Sequence, residues 1–341
     1  VTAVLSPPRL AGVRLRPRNV VVGAATVAAI LPLAVLSLGW GTYPVAPDAV
    51  IRALLGSGTA LDTTVVVGWR LPRVLAAVTL GALLAIAGAL FQTVTRNPLA
   101  SPDILGLSNG AFTGMLITLV LVSSSWPARA AGALVGCLAA SLLIWLLAYR
   151  GGIQGFRLIV VGIGVSAMLA SLNTWMLLQV ELETAMFASA WGHGSLNGVT
   201  ADALGGVLLC ALPVALAAFA LVPSLRQLEL GDDLATATGV RPHLVRSVAL
   251  LIGVVLVAAA TAIAGPIAFV ALAAPQIARR LARSPSLSLT LSGLVGALVL
   301  LASDAVAQHV LPVTLPVGVV TVSVGGSYLI VMIVSEIRRR A

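Results

Sequence analysis

Residues 247–278 contain no charged side chain, and this stretch limits the fold more than any other feature of the chain. As one helix it would extend about 48 Å at ~1.5 Å per residue, well beyond the ~30 Å hydrocarbon core of a bilayer. Gly265-Pro266 interrupts it near the middle, and proline has no N–H with which to continue the hydrogen-bond ladder. The stretch therefore reads as two spans folded back on one another. Similar apolar runs recur along the chain, separated by short breaks rich in arginine, proline and glycine.

Composition narrows the class. Of 341 residues, 59% are hydrophobic and 9% charged, against about 25% charged in a soluble domain. So little polar surface cannot cover a folded body in water, and the chain reads as integral to a membrane. Every basic residue is arginine. A phosphate-binding loop ending in Gly-Lys-Ser/Thr needs a lysine, so any ATPase must be another polypeptide. The net charge of +9 does not indicate nucleic acid, because the arginines stand at the ends of apolar segments, where topology accounts for them. Cys137 and Cys210 lie singly in separate runs and read as packing residues. His193, His243 and His309 are scattered without cysteine or carboxylate partners, so no metal site is expected.

Apolar runs set against their breakers predict an all-α polytopic membrane protein with about ten transmembrane helices. They fall at 19–40, 72–94, 104–123, 128–149, 158–180, 202–222, 244–264, 266–282, 287–306 and 316–335. Residues 1–18 read as a cytoplasmic N-terminal segment and 19–341 as a single transmembrane domain. The run ending at Trp40 is too long for a secretory signal and is expected to be a retained span. With both termini cytoplasmic, sixteen arginines lie on inner ends and four outside, the asymmetry expected of a plasma-membrane topology. The hairpin at Gly265 is needed for this, since Arg241 and Arg246 precede it and Arg279, Arg280 and Arg283 follow. The four external arginines are Arg52, Arg70, Arg73 and Arg129. No aspartate, glutamate or arginine stands at the middle of a span, which argues against a proton-coupled secondary carrier.

The inner loop at about 223–243 is the most polar and carries Glu229, Asp232 and Asp233. Acids at 232 and 233 favour a short helix over Leu234–Thr238, which Gly239 would end. LPRV…AIAG at 71–88 faintly echoes LVRS…AIAG at 244–265 from the opposite side, as an inverted repeat would.

Several blocks, in order, resemble the FecCD family of permeases for ferric siderophores, haem and vitamin B12. They are Arg70-Leu-Pro-Arg73, Gly81, Gly88 and Gln92, then Arg96-Asn97-Pro98-Leu99-Ala100-Ser101-Pro102-Asp103-Ile104-Leu105-Gly106. Trp191-Gly192-His193-Gly194-Ser195-Leu196, Gly231-Asp232-Asp233-Leu234-Ala235, Gly239-Val240, Gly265-Pro266-Ile267-Ala268-Phe269-Val270, Asp304 and Leu315-Pro316-Val317-Gly318 follow. The resemblance implies the type II importer permease fold of the ATP-binding cassette (ABC) class, in a bacterial cytoplasmic membrane. It implies a second permease subunit (the same chain or a sister), two ATP-binding subunits that hold ATP and magnesium, and an extracytoplasmic binding protein. No cofactor or catalysis is expected of this chain itself. A ferric siderophore is the leading cargo, with vitamin B12 or haem as the alternative.

The resemblance also implies roles for particular residues. Arg70 and Arg73 would dock the binding protein by gripping carboxylates, or else anchor headgroups. Glu229, Gly231, Asp232, Asp233, Leu234, Ala235, Gly239 and Val240 would form the coupling helix that seats on the ATPase. Asn97-Pro98 is either a turn or part of an inner gate. Asn173, Thr174, Gln179, Thr321 and Ser323 either line the pathway or hydrogen-bond between helices. Gln308 stands where relatives commonly carry arginine, Gln276 replaces a histidine, and Gly325-Gly326-Ser327-Tyr328-Leu329 departs from the family block.

Overall fold

In the computed structural model, which describes residues 9–10, 13–14, 17–103, 105–149, 155–284, 286, 288–311 and 313–340, the apolar runs are helices that break where proline and glycine stand. Most of the expected N-terminal segment 1–18 lies outside the described residues; within it Arg9–Leu10 pairs antiparallel with Val13–Arg14. The first helices are α1 (Pro17–Gly39), α2 (Pro47–Leu54) and α3 (Ala60–Thr63), which runs through a π-helical stretch, Thr64–Arg70, into α4 (Leu71–Thr95). Then come α5 (Leu107–Leu121), α6 (Trp126–Ala148), α7 (Gly155–Gln179), α8 (Leu182–Gly192) and α9 (Ala201–Ala220). Two short helices, α10 (Val222–Glu229) and α11 (Asp232–Ala237), precede α12 (Pro242–Ala264), α13 (Val270–Ala282), α14 (Leu289–Ala305) and α15 (Val317–Arg340). Proline opens α2, α6, α10 and α12 in the first turn, where its missing N–H costs nothing. Thr200 and Ser288 cap α9 and α14 through their hydroxyls.

Seven helices among the described residues are long and apolar enough to cross a membrane, and Leu107–Leu121 and Val317–Met332 are shorter apolar helices. Two expected boundaries are corrected. The second span begins at Ala60 rather than at 72, giving 36 continuous residues. Pro72 does not break it because the turn before is π-helical, with Leu71 N–H bonded to the Val66 carbonyl, which relieves the clash a proline ring makes in an α-helix. The eighth span begins at Val270 rather than 266. Gly265 and Phe269 both take positive φ, 71° and 68°, so residues 265–269 leave the helix altogether.

The helix axes can approach closely because small residues face each other. A Cβ at Gly81 would strike the Gly296 backbone and the reverse, which joins α4 to α14. Gly110 and Gly114 of α5 meet Gly136 and Gly132 of α6 in the same way. In a bilayer, where lipid tails are as apolar as leucine, such close packing is what holds helices together. The long helix containing α4 and the helix α12 are the most deeply enclosed, each 78% buried over its apolar window. These carry the two echoing sequences, and each is followed by a break and a short helix. The breaks meet: Phe269 N–H donates to Asp103 Oδ2 at 3.3 Å, and Ser101 and Ser108 hydroxyls donate to the same carboxylate.

Candidate functional site

At one end of the bundle α11 is tied by charge to α12 and to the end of α4, and α10 to α13. Asp232, at the first turn of α11, accepts from Arg246 of α12 at 2.6 and 3.0 Å and from Arg96, just past α4, at 2.5 Å. Arg96 also donates to the Leu228 carbonyl of α10 at 2.9 Å. Arg279 of α13 lies 3.7 Å from Glu229. Arg96 is held in place by its own backbone: it takes a left-handed conformation, φ 52°, while Asn97 N–H bonds back to the Gln92 carbonyl. Burial acts to raise the Asp232 pKa, but the Arg246 and Arg96 guanidiniums outweigh it and hold the carboxyl below its ordinary value.

The remaining residues of this loop give α11 a defined shape. Ala235 is fully buried beneath it, while Asp233 and Leu234 face outward with Leu230. Gly239 ends the helix at φ 85°, with Val240 N–H bonded to the Ala235 carbonyl at 3.0 Å. Gly231 precedes the helix at φ 116°, a conformation a side chain would resist. Thr238 donates to Gln227 of α10 at 2.7 Å, so the two short helices are braced together. The result is a small protruding helix with an apolar and acidic tip, fixed at its root to the bundle.

At the opposite end Arg73 makes two bonds to Asp304, at 2.8 and 2.6 Å, and donates to Asn197 at 2.5 Å. The Asp304 side chain is only 6% exposed. Arg70 donates to the Leu38 carbonyl at 2.8 Å and to the Tyr43 carbonyl at 2.6 Å, closing the end of α1. Both arginines singled out for docking thus hold the chain's own acceptors, and Arg52 pairs with Asp48 one turn away. A cavity of about 410 Å³ opens beside them, walled by Trp40, Trp69, Gln308 and His309. His309 stacks on Trp40 with ring centres 5.0 Å apart.

The residues proposed for the pathway separate. Asn173 is buried and joins α7 to α5, accepting from Thr113 at 2.7 Å and donating to the Asn109 carbonyl at 3.2 Å. Thr321 is buried on its own helix, bonded to Gly318. Thr174, Gln179 and Ser323 are exposed. Asn97 makes a turn, its Oδ1 accepting from Leu99 N–H at 2.9 Å. Pro98 offers its carbonyl to Gln276, whose side chain also donates to Gln92 at 2.6 Å. Gln92 in turn donates to the Leu272 carbonyl at 3.0 Å. The replaced histidine position is therefore an amide relay between α4 and α13.

Sequence reasoning did not find the Arg96–Asp232–Arg246 cluster or the Arg73–Asp304 pair. The available signal was that acids and arginines stood at matching ends of the spans; which acid meets which arginine is a matter of packing.

With the fold of a permease and a braced helix at one end in view, comparison with known proteins places the chain. The FecCD transport family profile matches residues 29–335, and the chain belongs to this family. It is 48% identical over 315 residues to the ferric enterobactin transport system permease protein FepG of Escherichia coli (strain K12), covering 92% of this chain and 96% of that protein. It is 36% identical over 305 residues to FepD, the ferric enterobactin transport system permease protein of the same organism, covering 87% and 90%. A solved structure described as an inward-facing metal-chelate type ABC transporter superimposes with a TM-score of 0.80 at 24% identity, covering 92% of this chain and 99% of that one. That likeness is one of fold.

Proposed function

We propose that the chain is the membrane-spanning permease subunit of an ABC importer for a ferric siderophore. Among the residues, the observation that carries the reading is the clasp of Asp232 between Arg246 and Arg96. It joins α11 to the two most enclosed long helices, so a push on α11 moves the core rather than a loose loop. In this reading α11 is the coupling helix, Leu230, Asp233 and Leu234 meet the ATP-binding subunit, and ATP and magnesium stay on that subunit. This chain transports without catalysing. The relatives named for ferric enterobactin support a ferric-siderophore cargo over vitamin B12 or haem.

The finer topology follows the same reading. Ten crossings are reached by adding α5, α13 and α15 to the seven longer helices, with both termini and α11 on the cytoplasmic side. Residues 19–341 act as one domain. The exposed apolar side chains of α7, including Phe156, Met168, Trp175 and Leu178, suit a second permease subunit. That FepG and FepD are both permeases for ferric enterobactin by name supports a sister chain. The binding protein would approach the end bearing Arg70 and Arg73, whose exposed edges remain open to it.

The test is reconstitution with the neighbouring ATPase and binding protein in proteoliposomes. ATP-dependent, vanadate-sensitive accumulation of a ferric siderophore is expected. Uptake driven by a proton gradient and indifferent to vanadate would sink the proposal.

A further inference from the structure

Arg129, in the first turn of α6, differs from the other arginines at its end of the bundle. Its Nε–H is buried with no acceptor among the described residues. Its guanidinium carbon lies 4.5 Å from the centre of the Phe187 ring on α8. The side chain borders a cavity of about 530 Å³ whose walls include Trp126, Phe187 and Trp191, with Ser195 and Asn197 as polar members. Asn197 is the residue that accepts from Arg73, so the cavity adjoins the charged cluster at the same mouth. Trp191 is steadied from behind by Phe112, with ring centres 6.2 Å apart.

We infer that this cavity is a recognition site for an aromatic anion, a flat ring bearing a carboxylate or an ionised hydroxyl. A guanidinium laid over a ring directs its N–H groups outward in its own plane, suited to two oxygens on one ligand edge. Arg129 borders the cavity with no carboxylate paired to it among the described residues, and an anion there would supply the missing opposite charge. The three aromatic side chains meet a ring face through stacked or edge-on contacts. An aliphatic carboxylate would satisfy the charge and leave those walls unmatched, and a phosphate headgroup would do the same. The importer reading adds only the source of the ring, an arm of the arriving iron chelate; the inference depends on it for that step.

The experiment uses the purified complex of permease, ATPase and sister subunit in nanodiscs of zwitterionic lipid, with salicylate as the probe and cyclohexanecarboxylate as the non-aromatic control. Calorimetry is expected to show salicylate binding that Arg129→Gln weakens by at least roughly tenfold and Phe187→Leu weakens in part. Thermal unfolding checks that each variant is folded, and Phe187→Leu carries the test should Arg129→Gln fail to fold. Equal salicylate affinity in wild type and variants overturns the inference. So does cyclohexanecarboxylate binding as tightly as salicylate, or anionic phosphatidylglycerol displacing salicylate, which would mark a headgroup site. Loss of binding-protein capture in Arg129→Gln with salicylate binding intact also overturns it. ATP-independent uptake would end the importer reading while leaving this binding result untouched.

Discussion

Arg73 grips Asp304 through two bonds of 2.6 and 2.8 Å, although 231 residues separate them in the chain. The pair joins the start of α4 to the end of α14, the same helices that touch through Gly81 and Gly296 further along. One contact sets their spacing and the other their register.

Breaking this pair should cost more than removing it. Arg73→Gln or Asp304→Asn leaves a charge with little exposure and no opposite charge beside it, a loss of about 3–5 kcal/mol. The double replacement Arg73→Leu with Asp304→Leu is expected to recover most of that loss. Denaturation in micelles as a double-mutant cycle measures the coupling; additive losses would mean that the two side chains act independently.

Asp232 should behave as an acid-labile clasp. Its folded pKa is depressed, so its contribution is complete above the unfolded value of about 4 and disappears as pH falls through the folded value. Near neutral pH the clasp is therefore constant, and Asp232→Asn imitates the acid state. Because the side chain is 43% exposed, the stability cost is expected to be modest, about 1–2 kcal/mol. Coupling should suffer more: faster amide exchange in α11 and reduced ATP-driven uptake at unchanged membrane abundance. Uptake equal to wild type would show that the clasp transmits nothing.

Gly239 tests the backbone at the end of α11. Nothing lies within 4 Å of a Cβ built there, but φ is 85°. Gly239→Ala should thus cost about 1 kcal/mol through conformation alone, and Gly239→Asn less. Limited proteolysis across 230–241 reports the loosening. Ala235→Glu, which forces a carboxylate into a buried position, should uncouple transport outright while the protein still inserts.

The glycine seam between α5 and α6 is expected to tolerate no bulk. Gly114→Leu would drive a side chain into the Gly132 and Gly136 backbone, with overpacking of about 1–3 kcal/mol or more. Ile117→Leu, on an exposed face of the same helix, is the control. A thermal midpoint lowered only in Gly114→Leu is the predicted result.

The helices themselves were readable because each depends on local covalent facts: a run of apolar side chains, a proline without an N–H, a glycine free to take positive φ. Gly265 and Gly239 end their helices where the sequence implied, and the position of α11 followed from its acids and its terminal glycine. The exceptions are also physical. Pro72 opens no new helix because a π turn absorbs it, and α13 starts late because Phe269 adopts a left-handed conformation that no local pattern announces.

What the sequence could not decide was which charges are engaged. Arg70, Arg73, Arg96 and Arg129 look alike as isolated letters. Packing gives Arg70 two carbonyls, Arg73 a carboxylate and an amide, Arg96 a carboxylate shared with Arg246, and Arg129, among the described residues, a ring. The sequence determined that the chain crosses a membrane repeatedly, and where it bends, since burial of apolar runs and the geometry of single residues suffice for that. The tertiary structure alone assigned each guanidinium its partner, because electrostatic attraction within a protein acts over a few ångströms of space and takes no account of distance along the chain.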